Sequence, residues 1–107
     1  MSLDVYLNKL VIASVFSYNI THNLGEMAEE AGIYMHLWRP DEIGIKHAKD
    51  LIEPLKVGLD LLVSDKNRFE KFNPSNGWGD YNSLVEFVSK YLQACVDNPD
   101  AEIEVSR

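Results

Sequence analysis

The sequence predicts a single α+β domain over residues 1–107: a small antiparallel sheet of about three strands, in chain order β-β-α-α-α-β, with helices packed on one face. Three observations predict it. Residues 3–7 and 101–105 alternate apolar with polar or amphipathic side chains, the period of a half-buried strand. Three stretches between them carry apolar residues at helical spacing. Strands gathered at the chain ends around a block of helices give an antiparallel sheet covered on one side. At 107 residues, such a domain buries roughly two thirds of the surface its unfolded chain exposes, enough for a core without disulfides or a structural metal.

The first strand is Leu3-Asp4-Val5-Tyr6-Leu7, and Asn8-Lys9 reads as the two-residue turn of a hairpin. The second strand follows over 10–18, extending to 20, and is apolar enough on both faces to lie inside the sheet. The period then becomes helical, with Leu24, Met27, Ala28 and Ala31 at i, i+3, i+4 and i+7. Thr21 or Asn23 serves as N-cap, Glu26 sits near the positive helix end, and Gly32 stops the turn. A short apolar patch over 33–38 ends at Arg39-Pro40, and Pro40-Asp41 reads as a new helix start. Residues 41–63 place Ile45, Ala48, Leu51, Ile52, Leu55, Leu59 and Leu62 on one stripe, and Pro54 inside it predicts a kinked or broken helix. His47 then falls on the polar face beside Lys46 and Lys49. Residues 66–72 add a helical turn with Phe69 and Phe72 inward. Residues 73–81 are a loop of turn formers around Trp78. Asp80 or Asn82 caps a last helix to about 94–96, with Leu84, Phe87, Val88, Tyr91 and Cys95 buried, and Asn98-Pro99 stops it. The final strand puts Glu102 and Glu104 in water, returns beside the first strand and blunts an exposed edge.

Ten basic against seventeen acidic residues give a net charge of −7. The acidity is spread, four basic against eight acidic over 1–53 and six against nine over 54–107. Such a field disfavours nucleic-acid binding, whose affinity comes largely from Lys and Arg on phosphates. It serves solubility, or mimicry of nucleic acid if the carboxylates line one face. No secretory signal pattern or membrane-length apolar run is visible, so a soluble, cytoplasmic protein is expected.

No catalytic or cofactor motif stands out. His22, His36, His47 and Cys95 match no compact zinc spacing, and no calcium loop is present, so no metal and no cofactor are expected. Cys95 reads as a small buried hydrophobe. Gly77-Trp78-Gly79 precedes a helix, but Asp80 beside it and the missing Lys-Ser/Thr argue against a phosphate cradle. The serines have no nucleophile-elbow context.

Three polar and aromatic clusters at element ends, 18–23, 37–40 and 72–81, supply the candidate binding residues: Tyr18, Asn19, His22, Trp38, Arg39, Asn76, Trp78 and Tyr81. Trp and Arg are enriched where binding energy concentrates, and loops at one rim of a scaffold gather such groups. The same residues also suit turns, caps and a core whose indole N–H groups find acceptors. His22 is the best placed for acid–base work, at a helix start that favours neutral imidazole.

The segments Tyr-Asn-Ile-Thr-His-Asn-Leu (18–24), Leu-Trp-Arg-Pro-Asp-Glu-Ile-Gly-Ile (37–45), Phe-Asn-Pro-Ser-Asn-Gly-Trp-Gly-Asp-Tyr (72–81) and Glu-Ile-Glu-Val-Ser-Arg (102–107) resemble a family of small acidic proteins of unassigned function from bacteria and their phages. The resemblance spans nearly the whole chain. It implies a bacterial or phage origin and a cytoplasmic setting, and no activity. The leading expectation is a non-enzymatic binding module, regulatory in character, with the Trp78 loop near the His22 turn. The competing one is a small enzyme or small-molecule binder with His22 as base and Arg39 holding an anion. A nucleic-acid mimic is the third. The edge strand and the aromatic loop are also compatible with a homodimer.

Overall fold

The computed structural model describes residues 2–9 and 13–107. Strands β1 (Ser2–Lys9) and β2 (Ala13–Thr21) pair antiparallel, with Ser2 opposite Thr21, Val5 opposite Tyr18 and Leu7 opposite Phe16. Strand β3 (Glu102–Ser106) pairs antiparallel with the other side of β1, giving the order β2-β1-β3. Leu3, Val5, Leu7 and Ile20 are buried on the inner face, with Phe16, Tyr18, Ile103 and Val105 half-buried beside them. Asp4, Tyr6, Ser17, Asn19, Glu102 and Glu104 alternate onto the open face. A slip of one residue would put the inner set into water, so the alternation fixes which face of each strand points inward. The expected turn at Asn8-Lys9 is corrected: both residues belong to β1, where Asn8 faces Ser14 and Glu102 after a register shift at Leu7/Asn8. The second strand is described from Ala13 onward, and the expected strand positions 10–12 lie outside the described residues.

The helices pack on the inner face. A 3-10 turn (His22–Leu24) leads into α1 (Gly25–Glu30), and α2 (Tyr34–Trp38) follows. Gly32 adopts φ 80° as a left-handed stop. The expected long helix over 41–63 is broken in two places. Pro40–Ile43 is a separate 3-10 turn closed by Gly44 at φ 75°, Ala48–Leu51 is another, and only α3 (Ile52–Ser64) is α-helical. Pro54 is the third residue of α3, where an N–H would have no intrahelical acceptor, so it starts the helix without kinking it. Residues 46–49 instead bond to the chain end: Ile103 N donates to Lys46 O (2.8 Å), Ala48 N to Ala101 O (2.9 Å) and Lys49 N to Pro99 O (2.9 Å). His47 bridges to Glu102 beside β3, and is not on a helix face.

Helix α4 (Lys66–Glu70) buries Phe69, and α5 (Tyr81–Asp97) lies between the sheet and α3. Its buried side carries Leu84, Phe87, Val88, Tyr91 and Cys95. Phe87 meets Tyr18 edge-on with centroids at 5.7 Å, and Tyr91 stacks on Phe16 at 5.8 Å, which ties α5 to β2. Among the described residues no helix is long and apolar enough to cross a membrane.

Candidate functional site

Strand β2 ends at Thr21, whose Oγ1 accepts the Asn23 N–H (3.3 Å) and turns the chain into the 3-10 segment that presents His22. Behind it, the Trp38 indole N–H donates to His22 Nδ1 at 2.7 Å. That bond needs a lone pair on Nδ1, so the tautomer that accepts it carries its proton on Nε2. Trp38 is itself fixed: it is 2% exposed, stacks on Tyr34 with centroids at 5.2 Å, and its carbonyl accepts from Arg107, which also reaches Asp41.

The loop over 73–80 comes to the same place by its own turn chemistry. Asn76 Oδ1 accepts the Trp78 N–H (3.0 Å), Asn73 Oδ1 accepts the Tyr81 N–H (2.8 Å), and Gly79 has φ 90°. A Cβ on Gly79 would lie 2.6 Å from Thr21 Cγ2 and 3.1 Å from Leu24 Cδ1, so only glycine lets the loop sit this close on the His22 turn. Trp78 is left 70% exposed. Together Ser2, Asn19, Thr21, His22, Asn23 and Trp78 line an open concavity of about 580 Å³. None of these side chains is a carboxylate, lysine or arginine; the lining offers amides, hydroxyls, one imidazole and one indole.

Of the eight candidate residues, the fold thus brings Asn19, His22 and Trp78 together. Trp38 supports His22 from the core. Asn76 shapes the loop. Tyr18 is half-buried on the inner sheet face, between Phe16 and Phe87. Tyr81 is buried, and its hydroxyl donates to Leu62 O at 2.7 Å. Arg39 is ion-paired with Glu42 (2.7 Å) and is not part of the concavity. Ser2, Thr21 and Asn23 join the site unforeseen. Thr21 and Asn23 stood in the motif as capping residues, while Ser2 arrives through its pairing with Thr21 across the hairpin, a relation visible only once the register is known.

No family model, curated protein or solved structure matches this chain.

Titratable groups elsewhere are shifted by burial. Burial pushes the Cys95 thiol up to about 12, so it is not a thiolate at neutral pH. Burial likewise raises the Tyr91 phenol, whose hydroxyl has no partner among the described residues. Burial holds the His36 imidazole below the ordinary histidine range, opposed by the Gly32 backbone, and it lies outside the concavity. Among the described residues no three His, Cys, Asp or Glu side chains gather as a metal site. The carboxylates are scattered over strands, helices and turns, and Glu30, Asp41, Glu42, Asp65 and Glu86 are ion-paired.

Proposed function

We propose that this protein is a non-enzymatic binding module, of bacterial or phage origin and acting in the cytoplasm, that holds a partner protein at the Trp78–His22 concavity. The carrying observation is the exposed indole of Trp78, held on a loop whose backbone is locked to the His22 turn through Gly79. An exposed tryptophan on a rigid platform loses little entropy on binding and covers a large area, which is how a single residue comes to dominate an interface. The polar groups around it supply direction: Asn19 and Asn23 both donate and accept, and His22, accepting from Trp38 at Nδ1, donates from Nε2.

A reading with His22 as general base and Arg39 as anion clamp lacks a shared concavity, and among the described residues the concavity's lining has no second titratable side chain to complete an acid–base pair. The test is affinity capture from the lysate of the source organism, comparing wild type with Trp78→Ala. Because Trp78 is exposed, the variant should keep its fold, with stability within about 0.5 kcal/mol of wild type. A specific protein held by wild type should bind the variant about tenfold more weakly or worse. Equal retention by both would overturn the assignment of this surface.

A further inference from the structure

We infer that the partner segment seated in the Trp78–His22 concavity is a proline-rich stretch in the polyproline II conformation, flanked by Lys or Arg. The inference rests on the reading of this surface as a protein-binding one and names what that surface recognises. It starts from the hydrogen-bonding groups that the fold has already used. Thr21 Oγ1 accepts from Asn23 N, and His22 Nδ1 accepts from Trp38, so two acceptors of the lining are occupied. The Trp78 indole N–H and His22 Nε2 have no partner among the described residues. The Asn19 and Asn23 amides offer both kinds of group, so the surplus left to a ligand is of donors. A matching ligand is neutral and rich in acceptors. Proline keeps its carbonyl and lacks the N–H, and polyproline II leaves its carbonyls outside any internal hydrogen bond. The pyrrolidine ring is also a compact apolar cover for an indole that is 70% exposed. Both sides are rigid beforehand: the Gly79 backbone sits against Thr21 and Leu24, and polyproline II loses little entropy on docking. A saccharide, whose hydroxyls donate as readily as they accept, asks for a more even lining.

The flanks follow from charge. Within three residues of a lining position along the chain, or opposite one in the β1–β2 register, stand the carboxylates Asp4, Glu26 and Asp80 and no Lys or Arg. None of these three carboxylates has an ion-pair partner among the described residues, and the whole chain carries −7. A lining without carboxylate, lysine or arginine, next to unpaired acids, suits a segment that is uncharged at its centre and cationic at its ends.

Proton–nitrogen NMR of the full chain resolves the two indole N–H signals, and the Trp78→Ala variant assigns them. The probe is a blocked peptide with a proline run between paired lysines. Its controls replace the prolines by glycine and serine, or the lysines by glutamate, and maltose serves as a neutral sugar. The lysine-flanked proline peptide should shift the Trp78 indole signal and bind about tenfold or more tightly than the glycine–serine peptide. It should also bind more tightly than the glutamate-flanked one, by a margin that shrinks with added salt. Trp78→Ala should weaken it about tenfold, and Asn23→Ala severalfold. Both positions are exposed, so both variants keep the fold, which circular dichroism checks. Equal binding of the glycine–serine peptide overturns the proposal, as does tighter binding with glutamate flanks. So does proline binding undiminished in both variants, or a Trp78 signal that moves with maltose and not with the proline peptide. If the peptides leave Trp78 unmoved while a protein captured from the lysate still depends on Trp78, the proline assignment falls and the surface stands. Silent peptides together with capture that ignores Trp78 overturn both.

Discussion

Trp38 Nε1–H ends on His22 Nδ1 at 2.7 Å, and this bond joins the core to the rim of the concavity. Replacing Trp38 with Phe keeps an aromatic ring against Tyr34 but removes the donor and part of a fully packed volume. His22 is half-exposed, so water takes over the lost bond on that side. The cavity term is not relieved that way, since Trp38 is 2% exposed. Trp38→Phe should therefore lower unfolding free energy by about 1–3 kcal/mol, in contrast to the near-neutral Trp78→Ala. Urea unfolding of both variants checks the contrast, and a Trp38→Phe protein as stable as wild type would remove Trp38 from the core. The two tryptophans also mark the limit of what residue type conveys. Both stand beside a proline- or glycine-containing turn in the sequence, and nothing local distinguishes the one whose indole meets an imidazole sixteen residues away from the one left in solvent.

Helix α5 is the element most readily read from the chain, because its signals are local. Its apolar stripe has the helical period, and Asp80 caps it as expected: Oδ1 accepts both the Ser83 N–H (2.8 Å) and the Ser83 hydroxyl (2.9 Å). Those two donors, the backbone one first, hold the Asp80 carboxyl below its usual 3.8. The folded protein therefore binds this proton less readily than the unfolded chain. The stabilisation is complete above the usual carboxylate range and is lost as pH falls through the lower folded value. Asp80→Ala should cost about 1 kcal/mol at neutral pH, while Asp80→Asn keeps an acceptor and should cost less. The gap between wild type and Asp80→Ala should narrow as the pH is taken below the carboxylate range, and a gap that is the same at neutral and strongly acidic pH would show that the carboxylate charge plays no part in the cap. The segment 41–63 is the opposite case. Its apolar stripe is real, but Lys46, Ala48 and Lys49 give their backbone groups to residues 99–103, a partner fifty or more residues distant, and Gly44 in the left-handed region releases the chain to do so. Periodicity reports which side chains face inward and is silent about where backbone donors go.

On the scale of the whole molecule, the class and the return of the last strand beside the first followed from alternation at the two ends and helical stripes between, but β2, expected inside the sheet from its apolar run, is an edge strand and β1 is the central one. Only part of the concavity was foreseen, because it is made by the hairpin register and by the approach of Gly79 to Thr21, neither of which is local. One global property was fully legible, the charge. Ten cations face seventeen anions, and the five ion pairs among the described residues involve partly to largely exposed side chains, where each contributes at most about 1 kcal/mol. The uncompensated carboxylates repel one another over every face, and folding brings them closer than they are in the extended chain. Added salt screens both effects, with a Debye length of about 10 Å at 0.1 M. It removes little from short-range pairs and more from the long-range sum of like charges. The melting temperature at low micromolar protein should accordingly rise between millimolar and 0.1 M-range sodium chloride, by about a few degrees for a domain of this size. A fall over the same interval would mean that the exposed pairs, the Arg68–Glu30 bridge between α4 and α1 foremost among them, outweigh the net repulsion. The Arg68→Ala variant would then lose most of that salt dependence.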